Sequence, residues 1–120
     1  MNNKSTLVLG ASTNPDRYSN KAMFMLKENG HEVIAIGNKM GSAHGILISK
    51  EITIERVDTV TIYLGKPNQG PYYQRIVNLH PRRIIFNPGT ENKELEEIAI
   101  KKGIQVIQAC TLVMLSIGNY

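Results

Sequence analysis

The chain has 120 residues, 42% of them apolar, one cysteine and a formal net charge of +4. That size fits a single domain over residues 1–120 with a real core, and a lone cysteine excludes an internal disulfide and agrees with a reducing compartment. No run approaches the roughly 18 apolar residues of a membrane span, Met1 to Lys4 precede no apolar signal core, and the basic residues form no stripe with aromatics, so the expected setting is cytoplasmic, with neither membrane nor nucleic acid as partner.

In chain order, the apolar run 6–9 predicts a first strand, stopped by Gly10. A polar loop follows, then a helix over 20–29, capped by Ser19 or Asn20 and ended by Gly30. Ala22, Met25 and Leu26 mark the helix's buried stripe. Residues 32–36 read as a second strand, ended by Gly37. In 37–51, Gly37, Gly41 and Gly45 break the pattern and predict a mobile loop, with 46–48 as a possible short strand. Residues 52–54 belong to an irregular connection or a further strand.

The β-branched run 59–64 suits a parallel strand covered on both faces. A helix over 69–79 comes next, capped by Asn68, with Pro71 in its first turn and one of Tyr72 and Tyr73 in the core. Strand 83–86 leads into Asn87-Pro88-Gly89. The helix over 91–102 carries Glu91 and Glu94 at its start and Lys101 and Lys102 at its end, which complements its dipole. Strand 104–107 is last, followed by an apolar tail, 111–117, of either type.

Short apolar strands alternating with amphipathic helices predict an α/β fold. Right-handed crossovers make it doubly wound, with a mainly parallel sheet of about five strands and helices on both faces. Ligands then bind outside the carboxyl ends of the strands, at the point where the strand order reverses. The loop from Gly10 to Ser19 is the leading candidate. Gly10 permits a sharp turn after the strand, backbone amides at the helix start and the Ser12 hydroxyl can hold a diphosphate, and Arg17 adds a charge. Taken alone, Gly-Ala-Ser also suits an ordinary strand–helix loop; its place after the first strand of an α/β chain favours a ligand.

The loop is not the dinucleotide fingerprint, because Ser12 and Pro15 stand where its second and third glycines belong. The second strand ends in Gly37-Asn38-Lys39, with no carboxylate for a free ribose hydroxyl. A lysine there suits a ribose that carries a phosphate, as in NADP and coenzyme A, and equally a solvated surface.

Gly10-Ala11-Ser12, Pro15, Arg17 and Ser19 resemble the signature of the small coenzyme-A-binding domain proteins, which are similar to the CoA-binding domain of the succinyl-CoA synthetase alpha subunit. The resemblance extends over the chain and includes Gly89-Thr90-Glu91-Asn92 and Cys110 with the apolar residues after it. It implies a Rossmann-like fold with coenzyme A over the first loop. Gly10, Ala11, Ser12, Asn14, Arg17 and Ser19 would face the diphosphate, Lys39 the phosphorylated ribose, and Tyr63 and Leu64 the adenine or pantetheine. Thr13, Tyr18, Gly37, Asn38, Asn87, Pro88, Gly89 and Cys110 complete the candidate cofactor-binding set. The chain departs from the pattern at Asn87, where many relatives carry Gln, and at Asn38-Lys39, where many carry Asn-Pro.

Cys110 follows the last strand and could meet a ligand thiol; a free cysteine is more often a small buried hydrophobe. His31, His44 and His80 show no metal-ligand spacing, so no metal is expected. His44 lies in the glycine-rich segment, at the surface or within reach of the ligand. No acid–base constellation stands out, since the glutamates of 91–97 fit helix polarity. The expected function is a module, monomer or homodimer, that binds coenzyme A or an acyl-CoA without turning it over. The alternatives are an NADP-dependent oxidoreductase completed by a partner domain and a Cys110-dependent acyl or thiol enzyme.

Overall fold

The computed structural model describes residues 3–120, so the reading of Met1 and Asn2 lies outside the described residues. Seven strands form one sheet: β1 (Thr6–Leu9), β2 (Val33–Ile36), β3 (Gly41–Ala43), β4 (Ile46–Ser49), β5 (Thr59–Ile62), β6 (Arg83–Phe86) and β7 (Gln105–Gln108). Four helices accompany them: α1 (Tyr18–Glu28), α2 (Tyr73–Asn78), α3 (Lys93–Lys101) and α4 (Thr111–Ile117). The sheet order is β3-β4-β2-β1-β5-β6-β7, parallel except for the β3–β4 pair. Strand order reverses at β1, with β2 on one side and β5 on the other. This is the Rossmann-like α/β fold.

The period-2 alternation of a strand sorts the core into two layers. Leu7 and Leu9 of β1 join Val60, Ile62, Ile84 and Phe86 against Ile76 of α2 and Leu95 and Ala99 of α3. Val8 turns the other way, with Ala35 and Ile48, against Met23 and Leu26 of α1 and Leu115 of α4. Helices therefore cover both faces, which explains why β1 and β5 are apolar or β-branched along their length and β6 is so after Arg83.

Three expectations are corrected. The predicted mobile loop over 37–51 holds β3 and β4, a hairpin that raises the strand count from about five to seven. Its two-residue turn, His44-Gly45, has φ of 55° and 77°, the left-handed pair that matches strand twist. The predicted helix over 69–79 is two 3-10 turns, Lys66–Asn68 and Gly70–Tyr72, followed by the short α2. Pro67 and Pro71 lack amide protons, and Gly70 favours the unfolded chain. Tyr72 and Tyr73 are both half-buried, rather than one in the core and one outside. The tail over 111–117 is a helix, closed by Gly118 in a left-handed conformation. No helix among the described residues is long and apolar enough to cross a membrane.

At the amino ends of the strands, away from the ligand-facing loops, Thr6, Thr59 and Arg83 align across β1, β5 and β6. Arg83 is buried, and its Nε donates to the Thr59 hydroxyl at 2.9 Å. The Tyr120 ring lies over its guanidinium, 4.3 Å from Cζ to the ring centroid. The Tyr120 hydroxyl bonds the Thr6 hydroxyl, and Lys4 Nζ donates to the Tyr120 carbonyl. His31 packs on the same ring at 4.9 Å. Burial first, then the Lys4 and Arg83 charges, lower the His31 pKa below the usual 6.5. A neutral ring is what lets its Nδ1 accept the Lys4 amide at 2.9 Å.

Tyr120 thus covers a buried cation. Tyr120→Ala is expected to destabilise the fold by about 3 kcal/mol, from the lost packing and the desolvated cation–π contact. Tyr120→Phe keeps the ring and should cost about 1 kcal/mol, one hydrogen bond. Urea titration checks both; an alanine variant as stable as the parent would show that the ring is not a cover.

Candidate functional site

The carboxyl ends of β1 and β5 open a crevice of ≈ 680 Å³ at the reversal of strand order, within the range of small-molecule sites. Its floor is the β1–α1 loop. Gly10 has a φ of 99°, and a Cβ there would come within 3.0 Å of the Tyr63 carbonyl carbon and 3.1 Å of the Leu64 amide. Only glycine takes that backbone and lets the two strand ends lie so close. The Gly10 and Ala11 amides both donate to the Ile36 carbonyl, at 2.8 and 2.9 Å. These two amides bind the loop to the end of β2 rather than a ligand.

The donors that face outward begin further on. The Ser12 Oγ accepts from the Asn14 amide at 3.0 Å, which leaves its own proton free to donate. Asn14 Oδ1 accepts from the Asp16 amide at 2.9 Å and closes the turn. Arg17, not Ser19 or Asn20, is the N-cap of α1, and no side chain caps the helix. The expectation of a Ser19 or Asn20 cap is therefore corrected. An arginine cannot accept a hydrogen bond, so the first-turn amides of Tyr18, Ser19 and Asn20 keep their donors for an anion.

The walls follow from topology. Asn38 and Lys39, past the end of β2, line one side. Tyr63 and Leu64, past the end of β5, line the other with Gly65 and Asn68. Pro88 and Thr90, past the end of β6, complete it. The β5 strand stops at Ile62 instead of the predicted Leu64, and the Ile62 carbonyl accepts the Asn87 carboxamide at 2.8 Å. Tyr63 is half-buried, and its hydroxyl is fully enclosed without a well-formed hydrogen bond to any described protein group. Burial raises its pKa well above 10, which the adjacent Thr111 and Thr61 hydroxyls offset only in part. Tyr63 is a neutral phenol and not a base.

Of the residues singled out from sequence, Gly10, Ala11, Ser12, Thr13, Arg17, Tyr18, Ser19, Asn38, Lys39, Tyr63, Leu64 and Pro88 come together in this lining. Asn14, Gly37, Asn87, Gly89 and Cys110 do not. Asn14 shapes the loop. Gly37 is buried behind it, where an added Cβ would meet the Ala11 carbonyl oxygen at 2.4 Å. Gly89 is an exposed turn residue with φ of 89°. Cys110 is half-buried at the N-cap of α4.

Asn87 is the clearest case of a named residue outside the lining. Its side chain is buried, with Nδ2 donating to Thr61 Oγ1 at 2.7 Å and to the Ile62 carbonyl, and Oδ1 accepting the Thr111 amide at 2.9 Å. Its carboxamide is satisfied within the protein. Thr90 and Asn92 also make bonds within the scaffold. Thr90 donates to the Asn87 carbonyl, and Asn92 caps α3 through the Leu95 amide while bonding Gln69 and Tyr73. Gln69 in turn donates to the Leu64 and Thr90 carbonyls, tying two crevice loops together. Buried carboxamides thus hold the rim.

Asp16, Gly65, Asn68 and Thr90 also line the crevice; they belong to loops that follow strand ends, and nothing in their residue types marks them from sequence as ligand contacts. Asp16 brings a carboxylate to the mouth, so Arg17 and Lys39 leave the lining with a formal charge of +1.

The family described as CoA binding domain matches residues 4–116. The chain belongs to this CoA-binding domain family. A crystal structure of an uncharacterized protein is 49% identical to it, with a TM-score of 0.95 over 100% of both chains. Cell-free ID.343 from Thermus thermophilus is 20% identical, with a TM-score of 0.86 over 98% of this chain and 91% of its own. A hypothetical protein from Pyrococcus horikoshii OT3 is 21% identical, with a TM-score of 0.83 over 92% and 80%. The last two establish likeness of fold alone. The search of curated proteins found no match. Within the CoA-binding domain frame, the uncapped start of α1 and the close approach at Gly10 fit a ligand that carries a diphosphate.

Proposed function

We propose that this protein is a binding module for coenzyme A or an acyl-CoA, which it holds without turning over. The observation that carries the reading is the uncapped start of α1 opening into a crevice that also receives Arg17 and Lys39. Orphan amides and a helix dipole favour a diphosphate, and the Ser12 hydroxyl supplies another donor. Lys39, in place of a carboxylate after β2, favours a ribose phosphate. Tyr63 and Leu64 offer an apolar wall to the rest of the ligand. Family membership supports the same class of ligand. In this reading Cys110, outside the lining, is structural and takes no acyl group.

Isothermal titration with CoA, dephospho-CoA and NADP tests the reading. CoA should bind a few-fold tighter than dephospho-CoA, the worth of one exposed charge pair, about 0.5–1 kcal/mol. Lys39→Glu should erase that difference. Negligible heats for all three would remove the proposal, and a preference for NADP with hydride transfer would replace it by the oxidoreductase reading.

A further inference from the structure

The ligand loop is held from behind by a residue that lines no part of the crevice. Asn20, buried in the first turn of α1, donates through Nδ2 to the Ser12 carbonyl at 2.9 Å. A carbonyl can only accept, so the carboxamide orientation is fixed and its Oδ1 must face the other way. There it meets His44 Nε2 at 2.7 Å. That contact requires the proton on Nε2, so His44 donates. His44 is the first residue of the β3–β4 turn and sits at a positive φ, 55°. The turn is pinned further by Lys27 Nζ, which donates to the His44 carbonyl at 2.6 Å, and by the Phe24 ring, 5.2 Å from the imidazole.

We propose that His44 is a positioning residue for the anion-binding loop: the hairpin turn, through the His44 N–H and the Asn20 carboxamide, fixes the Ser12 carbonyl and so the direction of the loop's donors. The inference rests on the reading of the crevice as an anion site. It assigns the β3–β4 hairpin a task besides edge pairing. The segment that brings Asn38 and Lys39 to the crevice also braces the loop opposite, so both walls depend on one element.

His44→Leu and His44→Gln isolate the hydrogen bond. Both lose the ring and both sit at the same positive φ, while glutamine alone can return an N–H at the same distance along the side chain. The first readout is hydrogen exchange at the Asn14, Asp16 and Arg17 amides of the full chain without ligand, since all three are bonded within the loop. His44→Leu should speed their exchange about fivefold over the parent, the worth of one hydrogen bond, and His44→Gln should restore slow exchange. The second readout is titration with inorganic pyrophosphate, which should bind about fivefold more weakly to His44→Leu and as well as the parent to His44→Gln. Unchanged exchange in His44→Leu, or a glutamine variant as loose as the leucine one, overturns the proposal. Loop exchange that follows the prediction in a parent that binds no pyrophosphate leaves the brace standing and defeats the anion-site reading instead.

Discussion

Gly37→Ala is expected to lower the melting temperature by roughly 10 °C and to weaken CoA binding about tenfold or more. The residue has an ordinary backbone, so the effect is not one of strained φ. It comes from distance: the new methyl would lie 2.4 Å from the Ala11 carbonyl oxygen and 3.2 Å from Ile48 Cγ2. The oxygen belongs to backbone that cannot swing aside. Relief requires the end of β2 to part from the ligand loop. That movement pulls the Ile36 carbonyl away from the Gly10 and Ala11 amides that it holds. Overpacking of this kind costs about 3 kcal/mol. Gly65→Ala is the control, because its nearest neighbour, Pro67 Cδ, is 3.8 Å away; it should stay within about 0.5 kcal/mol of the parent. Differential scanning calorimetry with CoA titration reads both. A Gly37→Ala protein that melts and binds like the parent would show that loop and strand are not in contact.

Asn87→Ala separates scaffold from ligand contact. The substitution removes three hydrogen bonds and leaves the Ile62 carbonyl and the Thr111 amide short of their partner in a buried place. The expected loss is about 3 kcal/mol of stability. Affinity for CoA, measured well below the melting transition, should change by no more than about twofold, as for a site that shares no partner with the ligand. Near-parent stability with lost affinity would mean that the carboxamide touches the ligand after all.

The architecture was legible where the physics is local. Strands β1 and β6 carry the apolar runs of 6–9 and 83–86, with Gly10 and Asn87-Pro88 stopping them. Helix α3 was marked by its charges, although its cap is Asn92, whose role was hidden by the glutamates on either side. The β3–β4 hairpin was misread because Gly41 and Gly45 resemble loop punctuation. His44-Gly45 ahead of the apolar run 46–48 is also a hairpin turn signal, since histidine tolerates the left-handed region better than most residues.

The site was legible in outline. The strand-end rule and the Gly-Ala-Ser start brought most of the named residues to one crevice. Asn87 and Gly37 fall outside the lining for a shared reason. Motif reading cannot tell a residue that faces a ligand from one that holds such a residue in place. Asn87 answers to Thr61 and Thr111, which are 26 and 24 positions away in the chain. Gly37 answers to a carbonyl that comes near only once β1 and β2 are paired. Asp16 went unnoticed because a carboxylate argues against an anion site until its place at the mouth is known.

In the proposed function, the loop after β1 and the start of α1 receive the diphosphate of a CoA-type ligand. Amide chemical shifts recorded during titration with CoA test it most directly. The largest changes are expected at Ser12, Thr13 and Tyr18 to Asn20, followed by Lys39 and Tyr63, with Asn87 and Cys110 moving less. Changes centred elsewhere on the sheet, or none at saturating CoA, would contradict it.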